Sequence, residues 1–201
     1  MTGAAATSAE RGREVRQALL SAATGLIAER GWSAVSTRML AERAGVGAGL
    51  VHYHFSSLRA LLTEAALDAM RGLADGLTEL LDRARTPEEA LDAMLGALDA
   101  YDGQDPTSML FTEAYLAAAR DEGLRDGIDA LMRGVREEFA AWLDRHGVAG
   151  PEETAAVLAA AVDGVMLHRT FTPGLASAAV GPVLRRLLVR DGAREEEEEA
   201  Q

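Results

Sequence analysis

Several residue types are missing or rare in this chain of 201 residues, and each absence excludes a class of protein. Cysteine is absent, which excludes disulfide scaffolds, thiolate metal sites, cysteine nucleophiles and thiol redox sensors. No apolar run reaches the ~18 residues that a membrane helix needs, and no basic and then apolar segment follows Met1. The sequence therefore predicts a cytoplasmic protein without a membrane span or a secretory signal.

Aromatic residues make up only 4% of the sequence, and runs of β-branched residues are scarce. Alanine, leucine, arginine and glutamate dominate instead, which favours helices over strands. Apolar spacing, capping residues and prolines divide the chain into about nine predicted helices, so we expect an all-α fold. Their approximate ranges are 13–30, 36–45, 48–54, 57–85, 87–102, 106–121, 124–146, 151–170 and 175–190.

Lysine is also absent, so all 20 basic residues are arginines, and 32 acidic residues give a formal net charge of −12. Taken alone, this charge argues against a polyanionic partner, because the field of the whole protein would repel phosphates. The charge is unevenly distributed, however. Residues 1–56 carry six arginines and four glutamates, a net +2, so the remainder carries −14. The N-terminal segment is therefore the candidate for binding a nucleic acid.

Residues 36–55 read STRMLAERAGVGAGLVHYHF and predict two short helices joined by a glycine turn. This spacing is typical of a helix-turn-helix, in which apolar residues close a small core and the second helix projects outward. Ala48 and His52 are four residues apart and share the outward face of that second helix. The small residues at its start would let the backbone approach a base edge closely.

Residues 13–64 resemble the DNA-binding domain of the TetR (tetracycline-repressor) family of transcriptional regulators. The resemblance lies in the first-helix ending AERG, the segments STRMLAERAGV and GLVHYHF, and the LRALL that follows. It implies an N-terminal three-helix helix-turn-helix domain and a larger C-terminal helical domain for ligand binding and dimerisation. It also implies phosphate contacts by Ser36, Thr37, Tyr53 and His54, base-edge contacts by Ala48, Gly49 and His52, and a base or phosphate contact by Arg38.

Two residues depart from the usual pattern of the family, which has tyrosine at the position of His52 and lysine at the position of Leu58. A histidine can still donate or accept a hydrogen bond at a base edge, whereas Leu58 makes no ionic contact with phosphate. These departures keep a second hypothesis open. It is a helical small-molecule-binding or interaction protein whose DNA binding is weakened.

Other chemistries have weaker support in the sequence. The glycines of 45–49 follow a helix with GxGxG spacing, which does not fit a nucleotide-binding loop. His52 and His54 point apart on a helix, so we expect no metal, and no catalytic triad or carboxylate pair indicates an enzyme. We expect no cofactor. Adjacent acids such as Asp121 and Glu122 are interpreted as solvated helix faces.

Bulky residues between positions 87 and 170 are candidates for the lining of an apolar ligand cavity between helices. Each of them can equally fill an ordinary core, and for any single residue the sequence favours that reading. Only the resemblance to the family favours a pocket. The candidates for ligand contact are Met94, Tyr101, Met109, Phe111, Tyr115, Phe139, Trp142, Met166 and His168.

An apolar stripe at 180–188 follows an alanine-rich helix at 154–167, and two such helices from each subunit could form an isologous four-helix interface. The alternative is burial against the subunit's own core, and the resemblance favours a homodimer. The candidate interface residues are Leu158, Val162, Val165, Val180, Leu184, Leu187 and Leu188.

These interpretations divide the chain into three parts. Residues 1–56 would form the DNA-binding domain with a flexible N-terminal arm, 57–193 the ligand-binding and dimerisation domain, and 194–201 a disordered acidic tail. We expect a ligand-responsive homodimeric repressor that binds a pseudo-palindromic operator in double-stranded DNA through the major groove. A small, largely hydrophobic effector would release it, and we expect no membrane partner.

Overall fold

Nine α-helices and two short 3-10 helices follow one another in a computed structural model that describes residues 7–172 and 174–189. These described residues contain no strand, and the all-α prediction is confirmed. The expected acidic tail at 194–201 and the first six residues of the expected N-terminal arm lie outside the described residues. The helices are α1 Ser8–Arg30, α2 Thr37–Ala44, α3 Ala48–His54, α4 Leu58–Arg83, α5 Pro87–Leu98, α6 Pro106–Ala118, α7 Glu122–Arg145, α8 Pro151–His168 and α9 Ser177–Leu184, with 3-10 helices at Trp32–Ala34 and Arg185–Leu187.

Local capping residues set the helix starts that the sequence predicts. The Ser36 hydroxyl accepts a hydrogen bond from the Met39 N–H at 3.3 Å, and the Ser57 hydroxyl accepts one from the Ala60 N–H at 3.0 Å. These side chains satisfy N–H groups that have no partner inside their own helix. Gly45 ends α2 with a φ of 68°, a left-handed conformation that glycine adopts without strain.

Helix α1 begins five residues before its predicted start, because a capping box lies ahead of it. The Thr7 hydroxyl accepts from the Glu10 N–H, and the Glu10 carboxylate accepts from the Thr7 N–H. The Thr-x-x-Glu sequence is the known signal for this arrangement and was available in the sequence.

Helix α9 ends at Leu184, several residues before the predicted end of the last helix. Pro182 lies inside α9 and has no N–H to continue the hydrogen-bond ladder, and a 3-10 turn follows. The stripe predicted at 180–188 is therefore not the face of one continuous α-helix.

The described chain forms two compact units. The first comprises the residues up to Met70 together with Met109–Gly127, and the second comprises Arg71–Ser108 and the residues from Ile128 onward. Each unit has its own apolar core, built from α1–α4 and Leu110 in the first and from α4, α5, α7 and α8 in the second. Most of α6 and the start of α7 thus belong with the helix-turn-helix, whereas the domain boundary expected at residue 56 stays a prediction.

Arg169 organises one end of the second unit although it carries a charge and is almost fully buried. Its guanidinium donates to the carbonyls of Leu98, Tyr101 and Leu175 and pairs with Asp99. Asp99 also accepts hydrogen bonds from the backbone and the hydroxyl of Ser177. The charge is fully partnered, which is the condition for burying it, and it joins the ends of α5 and α8 to the start of α9.

In the part of the chain that the structure describes, no helix is both long and apolar enough to cross a membrane.

Candidate nucleic-acid interface

Helix α3 has one buried side and one exposed side. Val51 is buried in the core of the first unit, beside Leu40 and Ala41 of α2. Tyr53 is 81% exposed, and Ala48, Gly49 and His52 are also exposed. The structure therefore brings the predicted base-contacting residues together on one accessible surface, the geometry that a recognition helix needs.

The remaining predicted DNA contacts lie at the ends of α2 and α3. Arg38 is exposed in the first turn of α2, and Thr37 beside it is half-buried. Ser36 is exposed, but its hydroxyl already accepts the capping hydrogen bond. His54 is half-buried, and its ring meets the Tyr53 ring edge-on with 5.1 Å between centroids. Arg38 and Tyr53 are thus both exposed polar side chains of the predicted set.

The C-terminal end of α3 is fixed by Phe55, which is only 5% exposed. The Arg16 guanidinium of α1 lies over the Phe55 ring, 4.8 Å from its centroid, and also pairs with Glu64 of α4. A cation over an aromatic face is attracted by the ring quadrupole. These contacts join α1, the end of α3 and α4 around one side chain.

Arg43 links α2 to α1, because its guanidinium pairs with a carboxylate of α1. Its two terminal nitrogens donate to the two carboxylate oxygens of Glu29 at 2.9 and 2.7 Å. These hydrogen bonds hold the pKa of Glu29 below its ordinary value and raise the pKa of Arg43. This bidentate pair is therefore a contact between helices, and the sequence patterns did not predict it.

Two acidic residues from outside the helix-turn-helix segment also support the first unit. The Trp32 N–H donates to Oε2 of Glu113 at 2.7 Å, at the turn where Gly31 has a φ of 83°. Asp121 accepts two hydrogen bonds of 2.5 Å from Arg59, and Oδ1 also accepts from the Leu124 N–H at the start of α7.

Asp121 is not the solvated residue that the sequence suggested, because it is only 7% exposed. The hydrogen bond from Arg59 is the main reason that the pKa of Asp121 lies below its ordinary value, although burial opposes the shift. Its partner lies 62 residues away, and Glu113 lies 81 residues from Trp32. No local pattern in the sequence could have indicated either pair.

The nine candidate ligand residues divide between the two units, with Met109, Phe111 and Tyr115 in the first. Phe111 is buried and Tyr115 is exposed. In the second unit Met94, Phe139 and Trp142 are buried in the core, against which Tyr101 packs half-buried. Met166 is also half-buried there. The nine residues are thus not one set within one unit, and their role in ligand binding stays a prediction.

Trp142 and His168 have surroundings that argue against a ligand contact. The Trp142 indole N–H donates to the Leu81 carbonyl at 3.0 Å, and the ring stacks on His146 with 3.8 Å between centroids. This occupies both its polar atom and one face. His168 is the last residue of α8 and is exposed, so it is not enclosed as a pocket residue would be.

A groove of about 660 Å³ lies between α7 and α8 in the second unit. Five of its nine lining residues are charged, and none of the nine candidate ligand residues belongs to it. The lining residues are Arg133, Arg136, Glu137, Ala140, Ala141, Asp144, Pro151, Glu152 and Ala156. This open, charged groove is not the apolar cavity that the sequence suggested.

Three of the seven candidate interface residues face the interior of the chain. Leu158, Val165 and Leu188 are buried in the core of the second unit. They therefore have no surface to offer a second subunit. Val162, Val180 and Leu184 are half-buried against the same core, and Leu187 is exposed.

Other apolar side chains on α8, on α9 and in the turn after α8 are exposed instead. Phe171 is 78% exposed, Val183 57% and Leu167 50%, and Val157 is also exposed. Exposed apolar side chains mark an interaction surface where they form one contiguous patch, so these segments are the candidates for one.

Both parts of the chain match family models. The model described as "Bacterial regulatory proteins, tetR family" matches residues 19–65, and the one described as "Tetracyclin repressor-like, C-terminal domain" matches residues 85–190. The chain is 30% identical over 200 residues to the class A tetracycline repressor protein of Escherichia coli, covering 86% of this chain and 92% of the repressor.

Solved structures have the same fold. A transcriptional regulator from Streptomyces coelicolor is 30% identical, with a TM-score of 0.73, 88% of this chain covered and 99% of the other. The multidrug binding protein EbrR in complex with ethidium is 28% identical, with a TM-score of 0.68, 87% of this chain covered and 98% of the other.

Proposed function

Because the chain belongs to the TetR family of transcriptional regulators, we propose that it is a homodimeric repressor released from its operator by an apolar or cationic small molecule. Members of the family are regulators and not enzymes, so the prediction of a non-enzyme is confirmed. A repressor of this kind acts in the cytoplasm, where its operator lies.

The exposed surface of α3 is the observation that carries the proposal. Ala48, Gly49 and His52 are exposed on a helix whose opposite side is buried through Val51. A helix held in this way can enter a major groove with its small residues against the base edges. Two copies related by two-fold symmetry would read two half-sites of a pseudo-palindrome.

The effector class follows from the charge and composition of the rest of the chain. The −14 outside residues 1–56 disfavours an anionic ligand, although exposed charge is screened within ~8–10 Å. Methionine and aromatic side chains in the second unit favour an apolar ligand. EbrR, at 28% identity, is a multidrug binding protein solved with ethidium, an aromatic cation. Tyr101 is half-buried against the core of the second unit, and we expect it to contact the effector.

The operator is tested by selecting bound duplexes from a random pool with the full-length protein. We expect the enriched site to contain two inverted half-sites whose centres lie about 34–36 Å, or a multiple of that, apart. The variant His52→Ala should lose discrimination at a symmetric pair of positions in that site. Salt-dependent retention without any enriched sequence would instead favour the helical binding protein with weakened DNA binding.

The effector is tested with tetraphenylphosphonium, an apolar cation, because ethidium itself intercalates into duplex DNA. We expect it to raise the melting temperature and to release operator, and glucose 6-phosphate to do neither. A ligand releases operator only if it binds the DNA-incompetent state more tightly. Tyr101→Ala should weaken both responses, whereas His168→Ala serves as an exposed control. Binding without release would contradict the coupling, and release by the phosphorylated sugar would contradict the proposed apolar or cationic class of effector.

A further inference from the structure

The first two turns of α1 form a defined scaffold at the edge of the DNA-binding surface. The capping box of Thr7 and Glu10 starts the helix at Ser8, so Arg11 and Arg13 project from regular helix. Hydrogen bonds from the Thr7 backbone and side chain hold the pKa of Glu10 below its ordinary value. That carboxylate is therefore committed to the cap rather than to an arginine.

Contacts along one face of α1 place these turns beside the end of α3. A Cβ at Gly12 would lie 3.9 Å from Cε1 of His54. One turn later on the same face, Arg16 lies over Phe55 and pairs with Glu64 of α4. Moving back along α1 from Arg16 to Gly12 thus leads from the turn between α3 and α4 to the last residue of α3.

Arg11 and Arg13 flank that face and are both exposed. Among the described residues, neither makes an ion pair with an acidic side chain, whereas Arg16 and Arg43 are both paired. Leu58, at the start of α4, packs against the core of the first unit and supplies no cation. The cations at this edge of the surface therefore come from α1.

We propose that Arg11 and Arg13 bind phosphates of the DNA backbone beside each half-site and extend the interface beyond α2 and α3. This inference rests on the proposed function. Guanidinium groups suit phosphate because they donate two parallel hydrogen bonds to it. Phosphate contacts add affinity without sequence preference and make binding strongly dependent on salt. Glu10 and Glu14 together carry as much negative charge as the two arginines carry positive charge, so the phosphate contacts depend on where the exposed guanidinium groups lie and not on a net positive charge of this turn.

The test uses the full-length variants Arg11→Gln and Arg13→Gln, singly and together, with the selected operator and a random duplex between about 50 and 200 mM salt. Because the bound dimer carries each arginine twice, each substitution should reduce the slope of log affinity against log salt by about 2, and the pair by about 4. The loss should be equal for operator and random duplex. Melting temperatures should not change, because both side chains are exposed.

Arg30→Gln is the matched control. It removes the same charge from the same helix, about 27 Å from Gly12, where no contact with DNA is expected. An equal fall in slope for this variant would show that only net charge matters and would overturn the proposal. An unchanged slope in the double variant would overturn the proposal for Arg11 and Arg13, but the proposed function of operator binding would still stand. Failure of the wild-type protein to bind any duplex would overturn the proposed function with it.

Discussion

At the scale of single residues, exposure separates the side chains that we propose to contact DNA from the side chains that hold the helix-turn-helix together. Arg38 and Tyr53 are exposed, so removing their polar groups costs the free protein little. We predict that Arg38→Ala and Tyr53→Phe each weaken operator binding without lowering the melting temperature. Titration of labelled operator at several salt concentrations measures the effect, and wild-type affinity for Arg38→Ala would show that this surface is wrongly assigned.

Phe55 is the opposite case, because its ring is buried and stacked under Arg16. We predict that Phe55→Ala lowers the free energy of unfolding by about 3–5 kcal/mol, through lost burial and the cavity left behind. Operator binding should be lost with the fold. Urea denaturation followed by circular dichroism measures the loss, with Tyr53→Phe as the matched control. If Phe55→Ala were as stable as the wild type, Phe55 would not be part of the core of the first unit.

At the scale of helices, Asp121 joins the start of α7 to α4 through Arg59. Its pKa is lowered in the folded protein, so its contribution to stability is complete above the ordinary aspartate pKa of about 3.9 and is lost as the pH falls through the lower folded value. We predict that Asp121→Asn is less stable than the wild type at neutral pH. The difference should shrink as the pH falls below about 4.

Thermal unfolding across a pH series tests this prediction. Asp126→Asn, an exposed aspartate on the same helix, is the control and should leave the stability near that of the wild type at every pH. A stability difference for Asp121→Asn that persisted unchanged to low pH would mean that the carboxylate charge contributes nothing. The amide would then act through its shape alone.

At the scale of the whole molecule, the exposed apolar residues of α8 and α9 are the positions at which a substitution tests the proposed homodimer interface. Leu167 and Val183 are exposed in the single chain, so a charge there costs the monomer little. We predict that Leu167→Glu combined with Val183→Glu gives a folded monomer that has lost operator affinity, since one recognition helix then lacks its two-fold mate. Analytical ultracentrifugation together with circular dichroism checks both halves.

Leu188→Glu is the contrasting variant. Leu188 is buried in the core of the second unit, so a glutamate there would be an unpaired buried charge and should unfold the protein. If the protein with both substitutions at Leu167 and Val183 remained a dimer, the interface would have to lie on another surface.

The sequence by itself determined the features that depend on neighbours along the chain. The predicted caps Ser36 and Ser57 lie directly before the first residues of α2 and α4, and the range predicted for α3, Ala48–His54, is the observed one. Capping hydrogen bonds, glycine turns and the four-residue spacing of a helix face all act within a few residues, so they can be read from order alone. Helix α3 and its exposed face were predictable for this reason.

Only the tertiary structure decided which distant groups meet. Glu113 beneath Trp32, Asp121 against Arg59 and the burial of Leu158 and Leu188 all depend on how helices pack. An apolar stripe shows that a face avoids water but not whether its own core or a second subunit covers it. Likewise, the sequence does not show whether an acidic residue is solvated or paired. Asp121 meets Arg59, 62 residues away, only because the helices pack together.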